Sequence, residues 1–151
     1  MEKLPEIHGP VLVCVTPQRS CTRLIQAGEM IALENHRPMK VLSIFKENTS
    51  TDAGNSEILE ELHEAARMAD ATMSVYFNDS PAILAAVVAV KENAGILVTG
   101  FPRDRSTGFI TEVHELVPNL PIVMLDDEMN EHRILPDGAE VPVPMPEGIR
   151  I

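Results

Sequence analysis

Two arginines and two hydroxyl side chains lie close together in the loop that follows a short apolar run, residues 94–100. The run ends at a glycine, which lets the backbone turn sharply or approach a ligand closely. Guanidinium groups beside the amides of a following helix N-terminus make an anion-binding arrangement, and the same residues would otherwise form a solvated loop. The candidate binding residues of this loop are Gly100, Arg103, Arg105, Ser106, Thr107 and Gly108.

A second polar turn follows the first apolar run of the chain, residues 11–16. In open α/β sheets, ligands bind outside the carboxyl ends of the strands, so this turn is expected to face the loop described above. The alternative is again a solvated turn. The candidate binding residues here are Thr16, Gln18, Arg19 and Ser20, with Phe45 at the end of the second strand.

Other side chains with reactive or metal-binding chemistry give weaker signals. Cys14 falls in an apolar strand and Cys21 near a helix start, a position typical of reactive cysteines. The alternative is that both are small buried residues. His132, with Asp126 and Asp127, forms either a divalent-cation site or a solvated surface. No nucleophile elbow, Cys-x-x-Cys pair or complete Walker loop occurs. The sequence therefore assigns no catalytic residue and no metal ligand, and it leaves open whether the chain is an enzyme.

The elements that must position these residues alternate between strand and helix. Apolar runs typical of buried strands alternate with apolar residues at helical spacing. This pattern predicts an α/β fold with an open five-stranded parallel sheet and helices on both faces. The predicted strands are 11–16, 39–45, 71–77, 96–99 and 122–125, and the predicted helices end near 35, 69, 93 and 117.

Local signals predict where two of the helices begin. Ser56 is a candidate N-cap for the second helix, and Ser80 followed by Pro81 is a start signal for the third. The third helix is apolar almost all round, including Ile83 and Val87, and is therefore expected to be well buried.

Composition limits the partners of this chain. A formal charge of −11 argues against nucleic acid and against anionic membrane surfaces. The apolar runs are too short to cross a bilayer, and residues 1–10 lack a signal-peptide pattern, so we expect a cytoplasmic protein without membrane insertion.

The last 26 residues differ from the rest, so we expect a domain over 1–125 and an arm over 126–151. An acidic run is followed by a segment containing Pro136, Pro142, Pro144 and Pro146, which favours an extended arm or edge strand. The arm carries apolar residues too, so we expect it to pack on its own domain's edge or, preferably, to cross to a second subunit in a homodimer.

Three segments together resemble the universal stress protein family, and most closely the stress-protein-like sensor domain of potassium-regulating bacterial histidine kinases. They are residues 11–25, which include Val-Leu-Val-Cys-Val-Thr-Pro-Gln-Arg-Ser, residues 78–83, Asn-Asp-Ser-Pro-Ala-Ile, and residues 96–100, Ile-Leu-Val-Thr-Gly. The resemblance covers about residues 10–125.

The resemblance implies the strand order 3-2-1-4-5. The Pro-rich C-terminal extended arm lies outside the residues that the resemblance covers. It also implies a ligand across strands 1 and 4: AMP, ATP or cyclic di-AMP. Compared with the ATP-binding pattern, Arg103 stands where a glycine is usual, Thr16 replaces an aspartate, and the loop reaches Gly108 early. We therefore expect a weaker hold on the β- and γ-phosphates than on the adenosine.

Three functions remain open from the sequence. The first is a non-catalytic nucleotide-sensing or signalling module of the stress-response type. The second is a degenerate module that binds no nucleotide and acts through dimerisation or protein partners. The third is a nucleotide-dependent enzyme of the wider adenine-binding class.

Overall fold

A computed structural model describes residues 9–15, 21–45, 53–100, 108–126, 128, 130–134 and 140–143. The strands are β1 (Val11–Val15), β2 (Met39–Phe45), β3 (Thr72–Phe77), β4 (Ile96–Gly100), β5 (Ile122–Leu125), β6 (Glu131–Ile134) and β7 (Glu140–Val143). The helices are α1 (Cys21–Glu34), α2 (Ala53–Met68), α3 (Pro81–Glu92) and α4 (Phe109–Leu116).

All seven strands form one sheet in the order β3-β2-β1-β4-β5-β6-β7. Strands β1 to β5 are parallel, so the predicted fold and the predicted order 3-2-1-4-5 are confirmed. The central register aligns Val13 with Val41 on one side and with Val98 on the other. Every residue of β1 is buried, as expected for a strand covered on both faces.

Two antiparallel strands extend this parallel sheet beyond the predicted five. Strand β6 pairs with β5, and β7 pairs with β6, so the described part of the C-terminal segment lies on its own chain's sheet. Pro142 lies in β7, the outermost strand of the sheet. No further strand lies on the outer side of β7, so a backbone N–H that is missing on that side costs no ladder hydrogen bond. Residues 144–151, which include Pro144 and Pro146, lie outside the described residues.

Alternation along the strands divides the core into two apolar clusters. Val11, Val13 and Val15 belong to the cluster under α1 and α2. Leu12 and Cys14 belong to the opposite cluster, under α3 and α4. Since successive side chains of a strand point to opposite faces, each strand supplies both layers, and the helices cover both faces as predicted.

Helix α1 packs closely on the sheet because Gly28 has no side chain. A Cβ placed on Gly28 would overlap the Val13 Cγ2 methyl and lie 3.1 Å from Met39 Sδ. Val13 is fully buried in the central strand, so its methyl group has no space into which it can move.

Two details differ from the predictions. The second helix begins at Ala53, so the prediction of Ser56 as its N-cap is wrong; Ser56 is an exposed residue inside the helix. A residue able to cap does not stop a helix, because each further residue that joins it adds a backbone hydrogen bond.

The expected burial of α3 on all sides is also wrong. Its alanines Ala82, Ala85, Ala86 and Ala89 face the core. Ile83, Val87 and Val90, by contrast, are 54%, 53% and 67% exposed. A helix of this sheet can bury only the stripe that meets the strands and the neighbouring α4, whatever the composition of its remaining surface.

The start of α3 follows the predicted signal with a different hydrogen bond. Ser80 is the N-cap and Pro81 opens the helix, but the Ser80 side chain makes no capping bond. The Ser80 N–H instead donates to Asn78 Oδ1 at 2.7 Å.

No helix among the described residues is long and apolar enough to cross a membrane.

The turn between β5 and β6 is organised by Asp126. Its Oδ1 accepts the backbone N–H groups of Glu128 and Asn130, each at 2.9 Å, and His132 Nε2 lies 3.0 Å from Oδ2. The bond from His132, followed by the backbone bonds, lowers the pKa of the Asp126 carboxyl below its ordinary value of 3.8. The Asp126 carboxylate therefore stabilises the turn at which the chain reverses, and β6 then pairs antiparallel with β5.

We expect Gly28→Ala to lower the free energy of unfolding by about 1–2 kcal/mol. Overpacking a core costs roughly 1–3 kcal/mol, which outweighs a gain of up to about 1 kcal/mol in helix propensity. Urea unfolding measures the difference. In a Val13→Ala background the added methyl has space, so the penalty for Gly28→Ala should shrink; an equal penalty in both backgrounds would contradict this contact.

We expect Asp126→Asn to destabilise the protein near neutral pH and to have little effect at strongly acidic pH. A folded-state pKa below the unfolded value adds stability above the unfolded pKa, and this is lost as the pH falls through the folded pKa. Urea midpoints across that range measure it. Asp70→Asn, the same change at an exposed turn residue with φ 59°, is the matched control, and its effect on the midpoint is subtracted at each pH.

Candidate functional site

The order of the sheet reverses at β1, which lies between β2 and β4. The chain leaves β1 toward α1 on one face of the sheet, and it leaves β4 toward α4 on the other. Outside the carboxyl ends of two such strands the connections diverge and leave a crevice, the usual ligand position in open α/β sheets.

Three strand ends meet at this crevice. Val15 aligns with Ser43 of β2, and Gly100 is as far beyond Val98 as Val15 is beyond its partner Val13. Phe45 ends β2 at the same edge. The predicted residues Phe45 and Gly100 thus end two strands at the same edge of the sheet, with β1 between them.

The opposite end of the sheet is closed by its own backbone. The N–H groups of Val11, Gly95 and Leu97 donate to the carbonyls of Pro38, Pro10 and Pro121 at 2.8, 3.1 and 3.0 Å. Arg37 Nη1 donates to the Gly9 carbonyl at 3.0 Å, so the segments entering the strands are tied to one another there. Among the described residues, these bonds join the segments that enter the strands at the amino end of the sheet.

Gly100 leaves room at the end of β4. A Cβ placed on it would meet only Leu24 Cδ1, at 3.8 Å, which is ordinary van der Waals contact. No packing contact with the described residues therefore requires a glycine at this position.

Gly108, the second described glycine of the predicted site, is the N-cap of α4. Its φ of 80° lies in the left-handed region that favours glycine, and a Cβ there would meet nothing within 4 Å. Glycine has no side chain, so Gly108 offers no side-chain hydrogen bond to the first N–H groups of α4. They carry the positive end of the helix dipole toward the crevice.

The remaining predicted residues lie outside the described part of the chain. They are Thr16, Gln18, Arg19, Ser20, Arg103, Arg105, Ser106 and Thr107. Their described neighbours, Val15 and Cys21 on one side and Gly100 and Gly108 on the other, flank the crevice. The roles of these eight residues stay predictions.

The buried hydroxyl of Ser43, near the carboxyl end of β2, is a feature that the sequence interpretation missed. Ser43 is fully buried in β2 beside Val15, and its Oγ has no hydrogen-bond partner. A buried hydroxyl without a partner costs about 1–3 kcal/mol, so it is a candidate to bond a ligand atom or an ordered water. The signal in the sequence was one polar residue inside an apolar run.

Other reactive groups of the described chain lie in structural roles. Cys14 and Cys21 are buried and form no disulfide, and burial raises the pKa of the Cys14 thiol to about 12, so it stays protonated at neutral pH. No group of three potential metal ligands occurs among the described residues, and Asp127 of the proposed cation site lies outside them.

Comparison with known proteins adds the fold. No protein-family model and no curated protein matches the chain. A universal stress protein from Archaeoglobus fulgidus superposes with a TM-score of 0.59 at 17% identity, covering 77% of this chain and 92% of that one. The described architecture is that of the universal stress protein fold, which the sequence resemblance predicted.

Two of the similar structures hold an adenine nucleotide. One is a universal stress protein from Archaeoglobus fulgidus in complex with dAMP, with a TM-score of 0.57, 17% identity and coverage of 78% and 97%. The other is a universal stress protein in complex with cAMP, with a TM-score of 0.54, 17% identity and coverage of 77% and 96%.

We expect Gly108→Ala to destabilise the protein by about 1 kcal/mol, and Gly108→Asn by less. The Cβ meets no atom, so the cost is that of a left-handed backbone, which asparagine tolerates better than alanine. Thermal unfolding measures both. Gly100→Ala is the control and should change the melting temperature little; equal losses at both glycines would contradict this distinction.

Proposed function

We propose that this chain is a non-catalytic nucleotide-sensing module of the universal stress protein type. The observation that carries the proposal is the reversal of the strand order at β1, with Gly100 at the end of β4 and Gly108 at the start of α4 beside it in the chain. That two proteins with this fold hold cAMP and dAMP supports an adenine nucleotide or a cyclic dinucleotide as the ligand.

The proposed site has two lips and a floor. One lip is the turn after β1, the other is the loop before α4, and the end of β2 lies below them. The phosphate would lie at the second lip, where the helix dipole and the two arginines attract an anion. The proposed ligand residues are Thr16, Gln18, Arg19, Ser20, Phe45, Gly100, Arg103, Arg105, Ser106, Thr107 and Gly108.

The length of the second lip bears on how many phosphates the site holds. Only residues 101–107 separate Gly100 from Gly108. Backbone N–H groups of such a loop hold the β- and γ-phosphates in nucleotide sites. A short loop offers few of them, so the proposal favours ligands recognised through the adenosine and a single phosphate.

A sensor relation to the bacterial histidine kinases, a cytoplasmic location and a homodimer belong to the same proposal. They rest on the sequence resemblance and on the apolar C-terminal segment. A second candidate, a module that binds no nucleotide and acts through dimerisation, is favoured by Arg103 at a position where ATP-binding relatives carry glycine.

Calorimetry on the purified full chain tests the proposed ligand. We expect AMP or cyclic di-AMP to bind at least as tightly as ATP, because the short loop contributes little beyond the first phosphate. ATP binding about tenfold tighter, a difference of about 1.4 kcal/mol, would contradict this expectation. Mass spectrometry of the protein as purified checks for a nucleotide that is already bound.

A variant at the crevice shows whether the nucleotide binds there. Gly100→Val should weaken AMP binding by about tenfold or more, because its side chain occupies space that the fold leaves open. Leu33→Val, an exposed change near the far end of α1, is the control and should bind AMP as the wild type does. Binding of no nucleotide would favour the second candidate, and release of phosphate would indicate an enzyme.

A further inference from the structure

A buried hydroxyl without a hydrogen-bond partner lies in the inner strand β2. It belongs to Ser43, which aligns with Val15 of β1 and with Val75 of β3. Among the described residues, Ser43 is the one buried residue with a polar side chain. Its Oγ meets no donor or acceptor in the described part of the chain. The hydroxyl therefore makes no bond that stabilises the fold.

Apolar side chains surround this hydroxyl on its face of the sheet. Val41, two residues earlier in β2, and Val15 both belong to the cluster under α1 and α2. Since alternate residues of a strand share a face, Ser43 lies on the side of the same cluster. An unpartnered hydroxyl in such surroundings costs free energy that an alanine would not, so a partner from outside the described chain is expected.

The position of Ser43 along β2 indicates where such a partner would bind. Ser43 is level with Val15, the last residue of β1, and Gly100 of β4 falls in the same row. Only Ile44 and Phe45 follow Ser43 in β2. Two residues span roughly 7 Å along a strand. The hydroxyl is therefore close to the carboxyl edge of the sheet, where the proposed ligand binds.

The position of the row across the sheet indicates which part of the ligand is involved. Neighbouring strands lie about 4.8 Å apart, so Ser43 in β2 and Gly100 in β4 are separated by roughly 10 Å across β1. In the proposed site the phosphate lies at the lip between β4 and α4. The part of the ligand over β2 is then remote from the phosphate, and in an adenine nucleotide that part is the base.

The chemistry of the row also fits a base. A purine has two apolar faces and a polar edge, so it can lie among valines and needs hydrogen bonds along its edge alone. A phosphate would lose its hydration there without gaining a cation, which is costly. A serine hydroxyl donates and accepts, so it can bond a ring nitrogen or an exocyclic amino group.

We propose that Ser43 is a specificity-determining residue of the nucleotide site and that its Oγ hydrogen-bonds the polar edge of the adenine base. This inference rests on the proposed function and deepens it by assigning the recognition of the base to one side chain. Because the hydroxyl is fully buried, the edge of the base that it bonds is enclosed at the end of β2. The hydroxyl lowers the stability of the free chain, and ligand binding removes that cost.

Removing the hydroxyl measures its cost in the free chain. Ser43→Ala should raise the melting temperature of the nucleotide-free protein by about 2–4 °C, because a buried polar group without a partner is lost. Mass spectrometry establishes that neither the wild type nor the variant carries a nucleotide in this measurement.

The same variant measures the use of the hydroxyl in the complex. Calorimetry with AMP, or with cyclic di-AMP if that ligand binds the wild type more tightly, should give a dissociation constant about tenfold higher for Ser43→Ala. The base then loses a hydrogen bond that enclosed surroundings do not replace with water. A variant that is more stable and binds more weakly is not expected of a residue whose role is structural.

Ser74→Ala is the matched control for both measurements. Ser74 is an exposed serine of the neighbouring strand β3, and it aligns with Leu42, which belongs to the cluster under α3 and α4. It should change neither the melting temperature nor the nucleotide affinity. Ser43→Cys keeps most of the side-chain volume with a weaker hydrogen-bonding group, so it should follow Ser43→Ala and exclude an effect of volume.

Two results would overturn the inference and leave the proposed function intact. One is a nucleotide-free Ser43→Ala protein that does not melt at a higher temperature, because the hydroxyl would then have a partner in the free chain, such as an ordered water. The other is an unchanged nucleotide affinity of Ser43→Ala. A wild-type chain that binds none of AMP, ATP and cyclic di-AMP would instead contradict the proposed function, and the inference with it.

Discussion

The pairing of β1 with strands on both of its sides is the constraint on which the rest of the structure depends. All five residues of β1 are buried, and its ladder partners β2 and β4 satisfy backbone groups that water cannot reach. Because the chain departs from β1 and β4 toward opposite faces, this one strand also determines where the crevice lies. The core, the order of the sheet and the candidate site therefore share one origin.

Close approach of the helices then fixes the thickness of the two layers. Gly28 lets α1 rest on Val13 and Met39, and an alanine face lets α3 lie against the sheet on the opposite side. Small residues at these contacts leave the larger apolar side chains of α3 outside the core. The same packing that completes the fold thus leaves apolar side chains of α3 exposed.

The two ends of the sheet differ in the groups that lie there. At the amino ends of the strands, backbone hydrogen bonds and the Arg37 side chain join the incoming segments. At the carboxyl ends, Gly100 leaves open space, Gly108 turns the chain into α4 without a side-chain cap, and Ser43 holds an unpartnered hydroxyl. The described hydrogen bonds between the incoming segments therefore lie at one end of the strands, and the candidate site lies at the other.

The sequence by itself determined the alternation of strands and helices, the parallel sheet and the start of α3 at Ser80. These features depend on apolar periodicity and on turn chemistry, which act over a few neighbouring residues. The resemblance to a known family supplied the strand order as well. Of the candidate site, sequence reasoning placed Phe45 and Gly100 at one edge of the sheet, because the carboxyl ends of parallel strands meet there.

Tertiary structure decided which residues are buried, and local sequence patterns could not predict this. The third helix is apolar on every side, but only the stripe that meets the sheet and α4 is covered, because burial depends on which neighbours are present. Ser43 is buried without a partner in β2, an inner strand between β1 and β3, and the sequence of one strand does not show that position. Strands β6 and β7 join the sheet because the Asp126 turn reverses the chain along β5, and a proline-containing strand is tolerated only at the outer edge that this reversal provides.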